Sequence, residues 1–120
     1  MRLDHDFVRI LLAEIKEVQW DGGYHDLYFE DRPDLMMSRY IKMLDDAGLI
    51  DAVDYSTHDL VCWRAKWITE EGERFLSVAS NEKYWQAAKK LIRRSHRKFT
   101  VEALKLALPR VKQQLRKRGR

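Results

Sequence analysis

Apolar positions in the first third of the chain follow two different periods. Between residues 4 and 18 they recur every three or four residues, which predicts an amphipathic helix with Asp4 or Asp6 as its cap. The inward stripe comprises Phe7, Val8, Leu11, Leu12, Ile15 and Val18. Gly22-Gly23 ends this helix, and apolar and polar residues alternate from Tyr24 to Glu30, which predicts a short strand.

A second helical pattern and a hairpin occupy the middle of the chain. The segment Asp31-Arg32-Pro33-Asp34 is typical of a turn followed by the start of a helix. Gly48 stands where a residue in the left-handed conformation would end that helix. The inward residues of this helix are Met37, Tyr40, Ile41, Leu44 and Ala47. Leu49-Ile50 then enters a strand, and a second strand from Leu60 to Ile68 completes the hairpin. The residues predicted on one face of this second strand are Val61, Trp63, Ala65 and Trp67.

Three further helical patterns follow the hairpin, each with a residue suited to its start. Thr69 can cap the first and Asn81 the second, while Thr100 begins the third. Their apolar stripes are Phe75, Leu76 and Ala79; Trp85, Ala88, Leu91 and Ile92; and Val101, Leu104, Leu108, Val111 and Leu115. Pro109 lies inside the last pattern and is predicted to kink or split that helix, at a cost of about 3 kcal/mol if unrelieved.

The order helix, strand, helix, hairpin and then helices predicts an α+β domain with a winged-helix-like arrangement. The chain has 120 residues, which suits one domain. We expect residues 1–80 to form the winged-helix-like core and residues 81–120 to form a basic helical extension that packs on the same domain.

Two stretches carry a resemblance to winged-helix proteins. Tyr40 to Ile50 contains a helix ending in Leu-Asp-Asp-Ala-Gly-Leu-Ile, and Ile68 to Leu76 contains Thr-Glu-Glu-Gly-Glu-Arg-Phe-Leu. The resemblance implies a recognition helix followed by a hairpin wing. A winged helix also has a short helix before the recognition helix, whereas Trp20 to Arg32 predicts a glycine turn and a strand.

The C-terminal third of the chain makes the resemblance specific to one family. Phe75-Leu76 continues through Asn81-Glu82-Lys83-Tyr84-Trp85 and into Phe99-Thr100-Val101-Glu102-Ala103-Leu104-Lys105. This order resembles a family of short phage, prophage and bacterial hypothetical proteins, a domain of unknown function. The resemblance covers nearly the whole chain and implies no activity, because that family has none to carry over.

Composition and charge change this interpretation in one respect. A hydrophobic content of 45% with a single cysteine suits a packed domain in a reducing compartment, and no apolar run is long enough for a membrane span or a signal peptide. We therefore expect a cytoplasmic protein. The net charge of +4 hides an asymmetry, because residues 83–120 hold fourteen Lys and Arg against one acid, whereas residues 1–82 carry a net charge of −9.

The cations give two candidate nucleic-acid contacts. Arg39 and Lys42 lie on the outward face of the second helix with Ser38, but the helix has a net charge of −1 and is therefore a poor reader of DNA. The basic C-terminal tail is the better candidate. Its residues are Lys89, Lys90, Arg93, Arg94, Arg97, Lys98, Arg110, Lys112, Arg116, Lys117 and Arg118. Three alternatives stay open: cations stabilise helix C-termini, neutralise the acidic half of the chain, or bind an acidic protein.

Aromatic, metal-binding and catalytic patterns are weaker. The spacing of Trp63, Trp67, Tyr84 and Trp85 is more typical of a core than of base-stacking, whereas Tyr55 is among the aromatics expected to be partly exposed. His58 and Cys62 form one close pair without a second, so we expect no metal site. No glycine loop cradles phosphate, and no pattern indicates a nucleophile, a cofactor or a small-molecule substrate.

The sequence thus predicts a non-enzymatic, nucleic-acid-associated protein of phage or prophage type. Affinity would come mostly from the tail and would fall steeply with salt. The alternative is a protein-interaction module or homodimeric adaptor without DNA binding, which the acidic first 82 residues favour.

Overall fold

The computed structural model describes residues 3–18, 34–95 and 98–118. These ranges contain five helices and one two-stranded sheet, in chain order α1 (His5–Val18), α2 (Asp34–Asp46), β1 (Ile50–Asp54), β2 (Trp63–Ile68), α3 (Glu70–Ala79), α4 (Glu82–Arg94) and α5 (Val101–Arg118). The predicted α+β class is confirmed. The strand predicted from Tyr24 to Glu30, and the segment where a winged helix carries its extra helix, lie outside the described residues.

The start of α1 is held by the predicted cap. The Asp4 carboxylate accepts a hydrogen bond from the Phe7 N–H at 3.1 Å, and the Asp4 N–H donates to the Tyr40 hydroxyl of α2 at 2.9 Å. Five of the six predicted inward residues of α1 are buried, and Val18 is half-buried. One short polar segment therefore fixes where α1 begins and also ties α1 to α2.

The end of α2 is a Schellman motif. Gly48 has φ +78°, and the N–H groups of Gly48 and Leu49 donate to the carbonyls of Asp45 and Leu44 at 2.9 and 3.0 Å. Leu44 and Leu49, the two apolar residues that flank this motif, are both fully buried. The predicted left-handed cap is confirmed, and it delivers the chain directly into β1.

The N-terminus of α3 packs against this junction. The Thr69 hydroxyl accepts from the Gly72 N–H at 3.0 Å and donates to the Gly48 carbonyl at 2.6 Å, while the Thr69 N–H donates to the Leu49 carbonyl at 3.0 Å. A Cβ added at Gly72 would lie 1.9 Å from the Leu49 carbonyl oxygen. Only glycine permits this approach, so α3 is locked at a fixed position relative to β1.

The hairpin contains a bulge that the sequence pattern did not reveal. Asp51 pairs with Trp67 but Ala52 pairs with Ala65, so Lys66 is an extra residue in β2. Ala65 and Ile68 consequently both face the core, and Trp67 is 44% exposed. The prediction that Val61, Trp63, Ala65 and Trp67 lie on one face of the strand is therefore wrong for Trp67, and also for Val61, which precedes β2 and is exposed.

The last three helices are capped as predicted and share the core with α1, α2 and the sheet. Asn81 accepts from the Tyr84 N–H and Thr100 from the Ala103 N–H, at 3.2 and 3.1 Å. Of the two outcomes predicted for Pro109, a kink or a split, the split is wrong, because α5 continues across it, whereas the kink stays a prediction. Pro109 is exposed, whereas Leu108 and Val111 on either side of it are buried, so tertiary packing holds both halves of α5.

Candidate nucleic-acid interface

The predicted cations of the C-terminal third occupy different surroundings. Arg97 lies outside the described residues, and Arg118 is the last residue of α5. The other predicted cations form three sets: one lysine on α4 that is paired with a carboxylate, an exposed group at the end of α4, and a group along α5. Their surroundings, more than their number, decide what each can bind.

Lys89 is held inside the fold. Its Nζ lies 3.1 Å from the Asp6 carboxylate, which also accepts from Trp85 Nε1 at 2.7 Å, and the Lys89 side chain is only 15% exposed. The Trp85 hydrogen bond, followed by Lys89, lowers the pKa of Asp6. Arg9 joins the same region, because its guanidinium lies over the Trp85 ring and 2.8 Å from Glu82. Lys89 therefore serves chiefly to fasten α4 to α1.

The α4 patch comprises Lys90, Arg93, Arg94 and Lys98. Lys90, Arg93 and Arg94 are spaced so that they share one face of α4, and Lys98 follows shortly after the helix ends. All four side chains are exposed, and within the described ranges none of them forms an ion pair with a carboxylate. The α4 patch is therefore available to an anionic ligand.

A groove between α3 and α5 has a volume of about 710 Å³. Its floor is apolar and includes Leu49, Phe75, Val78, Leu108 and Pro109. Lys112, Arg116 and Lys117 line it towards the C-terminus of α5 and are here called the α5 rim. In the described part of the chain no carboxylate pairs with these three residues.

The opposite end of the groove is neutralised. Lys105 Nζ lies 2.8 Å from the Glu71 carboxylate and donates to the Ala47 carbonyl at 2.7 Å. The hydrogen bond that Lys105 donates to the Glu71 carboxylate raises the pKa of Lys105 and lowers the pKa of Glu71. Arg110 also lies on α5, but it is exposed and does not line the groove.

The outward face of α2 carries little free positive charge. Lys42 lies 3.0 Å from Asp46 and 5.9 Å from the centre of the Trp63 ring, whereas Arg39 is exposed. Ser38 was expected on this face, but it is buried, and its hydroxyl accepts a hydrogen bond from the Trp63 N–H at 3.1 Å. The expectation for Ser38 is therefore wrong, and α2 offers one exposed cation, Arg39, that is not already paired with a described carboxylate.

The groove is the feature that the sequence patterns did not reveal. Phe75 and Leu108 were assigned to apolar stripes, and both are largely buried, but they also form the groove floor. A signal was present in α5, where Lys105, Pro109, Lys112 and Arg116 recur at helical spacing on a face without large apolar side chains. Such a face beside a short helix leaves space between the two helices.

Metal-binding chemistry receives no support from the geometry. Across residues 3–18, 34–95 and 98–118, no three His, Cys, Asp or Glu side chains converge as ligands would. His58 is exposed on the hairpin loop, and Cys62 is half-buried near it. The helices in these same ranges include none that is both long and apolar enough to cross a membrane.

Comparison with known proteins places the chain in a family. A family described as "Hypothetical protein (DUF2513)" matches residues 2–97, which include α1 to α4 and the hairpin. The chain belongs to this family. An "Uncharacterized protein" of Haemophilus influenzae is 28% identical over 106 residues, which cover 88% of this chain and 90% of the relative. No solved structure matches the chain.

The resemblance to a hypothetical-protein family of unknown function is thereby confirmed. Phage or prophage origin stays a prediction. Neither the family description nor that of the relative names an activity or a partner.

Proposed function

We propose that this chain is a non-enzymatic, cytoplasmic protein of phage or prophage type that associates with nucleic acid through the α4 patch. The observation that carries the proposal is that Lys90, Arg93, Arg94 and Lys98 are all exposed and have no carboxylate partner among the described residues. Phosphate contacts of this kind supply most of the affinity in non-specific binding.

The proposed architecture is winged-helix-like, with α2 in the place of the recognition helix and the β1–β2 hairpin in the place of the wing. The order of α1, α2 and the antiparallel hairpin supports it. The face of α2 does not support base reading, because Lys42 is paired with Asp46 and Ser38 is buried. We therefore propose binding that follows shape and charge, with little selection of sequence.

The size of the salt effect follows from the number of phosphate contacts. Four contacts give a slope of about −3.6 for log K against log salt, so affinity falls roughly a hundredfold between 50 and 200 mM salt. Replacing three of the four cations with Glu removes about 2.7 from the magnitude of that slope. The slope therefore reports how many residues of the α4 patch touch the backbone.

The test is fluorescence anisotropy with a labelled random-sequence duplex of about 30 base pairs, titrated at several salt concentrations. K90E/R93E/R94E is expected to weaken binding at low salt by more than about tenfold and to flatten the slope. The matched control is K112E/R116E/K117E, which changes the net charge equally at the α5 rim. Equal losses in the two variants would show that overall charge, and not the α4 patch, governs binding.

The alternative function, a protein-interaction module or homodimeric adaptor, is favoured by a different observation. The groove between α3 and α5 combines an apolar floor with unpaired cations, which a site for phosphate alone does not need. This alternative uses a different surface from the α4 patch and involves no DNA binding.

A further inference from the structure

The dimensions of the groove match a short helix. Its lining residues on α5 run from Lys105 to Lys117, a distance of about 18 Å along the helix axis. A helix of about twelve residues has the same length. The volume of about 710 Å³ lies between α3 and α5, so an occupant would pack beside both helices.

The free positive charge in the groove differs between its two ends. Near Lys105 the positive charge is already matched by Glu71 and by the Ala47 carbonyl, so this end offers an occupant mainly apolar contacts. The floor there and in the middle comprises Leu49, Phe75, Val78, Leu108 and Pro109. Arg74 adds no free charge, because it is paired with Glu70 at 3.0 Å.

The other end of the groove holds the α5 rim. Lys112 is half-buried and Arg116 and Lys117 are exposed, and these three residues have no carboxylate partner within the described ranges. Favourable interaction with the helix dipole accounts for cations in the last turns of a helix, but it does not require them to face a groove. All three line the groove, so they are positioned for negative charges on whatever lies in it.

From this juxtaposition we infer that the groove binds an acidic amphipathic helix of about twelve residues from a partner protein. The apolar face of the partner helix lies on the floor, and its acidic end lies against the α5 rim. A nucleic-acid backbone has phosphates throughout and no apolar side chains, so it would leave the floor without contacts. The inference does not depend on the proposed nucleic-acid function, because it uses none of the residues of the α4 patch.

The probe is a fluorescein-labelled synthetic peptide of fourteen residues with Leu and Phe at positions i, i+3, i+4 and i+7 and Glu at one end. A second peptide carries Lys in place of every Glu. The acidic peptide is expected to bind the full chain in anisotropy at least about tenfold more tightly than the lysine peptide. K112E/R116E is expected to reverse that preference.

A steric variant tests the location. Gln113 lines the groove and Gln114, its neighbour, does not, although both are exposed on α5. Gln113→Trp fills the groove and is expected to weaken the acidic peptide about tenfold or more, whereas Gln114→Trp leaves its affinity unchanged. Circular dichroism checks that both variants are folded, and K112E/R116E provides an independent test if either is not.

Three results would overturn the inference. The first is equal affinity, or no affinity, for the two peptides. The second is a dimer in light scattering that Gln113→Trp, but not Gln114→Trp, converts to a monomer, because the occupant would then be a second copy of this chain. The third is loss of duplex DNA binding in Gln113→Trp alone, which would assign the groove to nucleic acid.

Discussion

The α4 patch and the α5 rim belong to the same basic third of the chain, yet their surroundings differ. The patch projects from the end of α4 and the segment after it, whereas the rim borders an apolar groove. Thr100, the residue before α5 and two residues after Lys98 of the patch, is about 18 Å along the helix axis from Lys112, the first residue of the rim. This separation exceeds the Debye length of about 8 Å at physiological salt, so the charges of one region are largely screened from a ligand bound at the other. The comparison shows that two regions of similar positive charge can have different surroundings, which net charge alone does not report.

The largest effect is expected from damage to the junction that positions α3. Gly72→Ala places a Cβ against the Leu49 carbonyl, which cannot move without displacing β1, and we expect a loss of about 3 kcal/mol in unfolding free energy. Leu49 lines the groove, so the variant should also weaken the acidic peptide while duplex DNA binding is retained. Urea denaturation and the two titrations measure these effects.

Gly48→Ala is the matched control for this change. It strains a left-handed residue, but the nearest obstacle is the flexible Glu71 side chain at 3.1 Å, so we expect a smaller loss of about 1 kcal/mol. Equal stability of wild type and Gly72→Ala would contradict the close packing of α3 on β1.

A smaller effect tests whether Lys89 belongs to the α4 patch. Lys89→Met removes the ion pair with Asp6 and is expected to lower stability by roughly 1 kcal/mol with little change in DNA affinity. Lys90 is one residue away and exposed. Lys90→Met is therefore expected to leave stability nearly unchanged, to weaken DNA binding, and to reduce the magnitude of the salt slope by about 0.9. Denaturation and anisotropy on both variants separate the two roles. A large loss of DNA affinity in Lys89→Met would place Lys89 in the patch.

The smallest effect concerns the pH dependence of stability that arises from His5 of α1. Burial, followed by the charge of Lys89, lowers the pKa of His5, whose ring packs on Phe99 with centroids 4.3 Å apart. The unfolded chain therefore takes up the proton first as pH falls below about 6.5, and stability declines until the lower folded-state pKa is passed. His5→Gln should reduce the difference in melting temperature between pH 7 and pH 5. An unchanged profile would show that His5 does not contribute.

Local patterns predicted the parts of the fold that depend on residues close in sequence. The caps Asp4, Thr69 and Asn81 and the left-handed Gly48 are all confirmed, because each involves groups only a few residues apart. The bulge at Lys66 was missed, since an extra residue in β2 depends on its register with β1.

In the candidate site, too, the features that were not predicted depend on residues far apart in the sequence. Composition located the basic third, but the pairing of Lys89 with Asp6 joins residues 83 positions apart and is set by the packing of α4 on α1. The burial of Ser38 likewise depends on Trp63, which lies 25 positions away. The groove exists only because α3 and α5 pack side by side, and no single helix pattern contains that information.

The most direct test of separate roles for the two basic regions is a crossed titration at one salt concentration. K90E/R93E/R94E and K112E/R116E/K117E are each titrated with the labelled duplex and with the acidic peptide. We expect that the first variant loses affinity for the duplex and keeps its affinity for the peptide within about twofold, and that the second variant shows the reverse pattern. Equal weakening of both ligands by both variants would contradict this expectation.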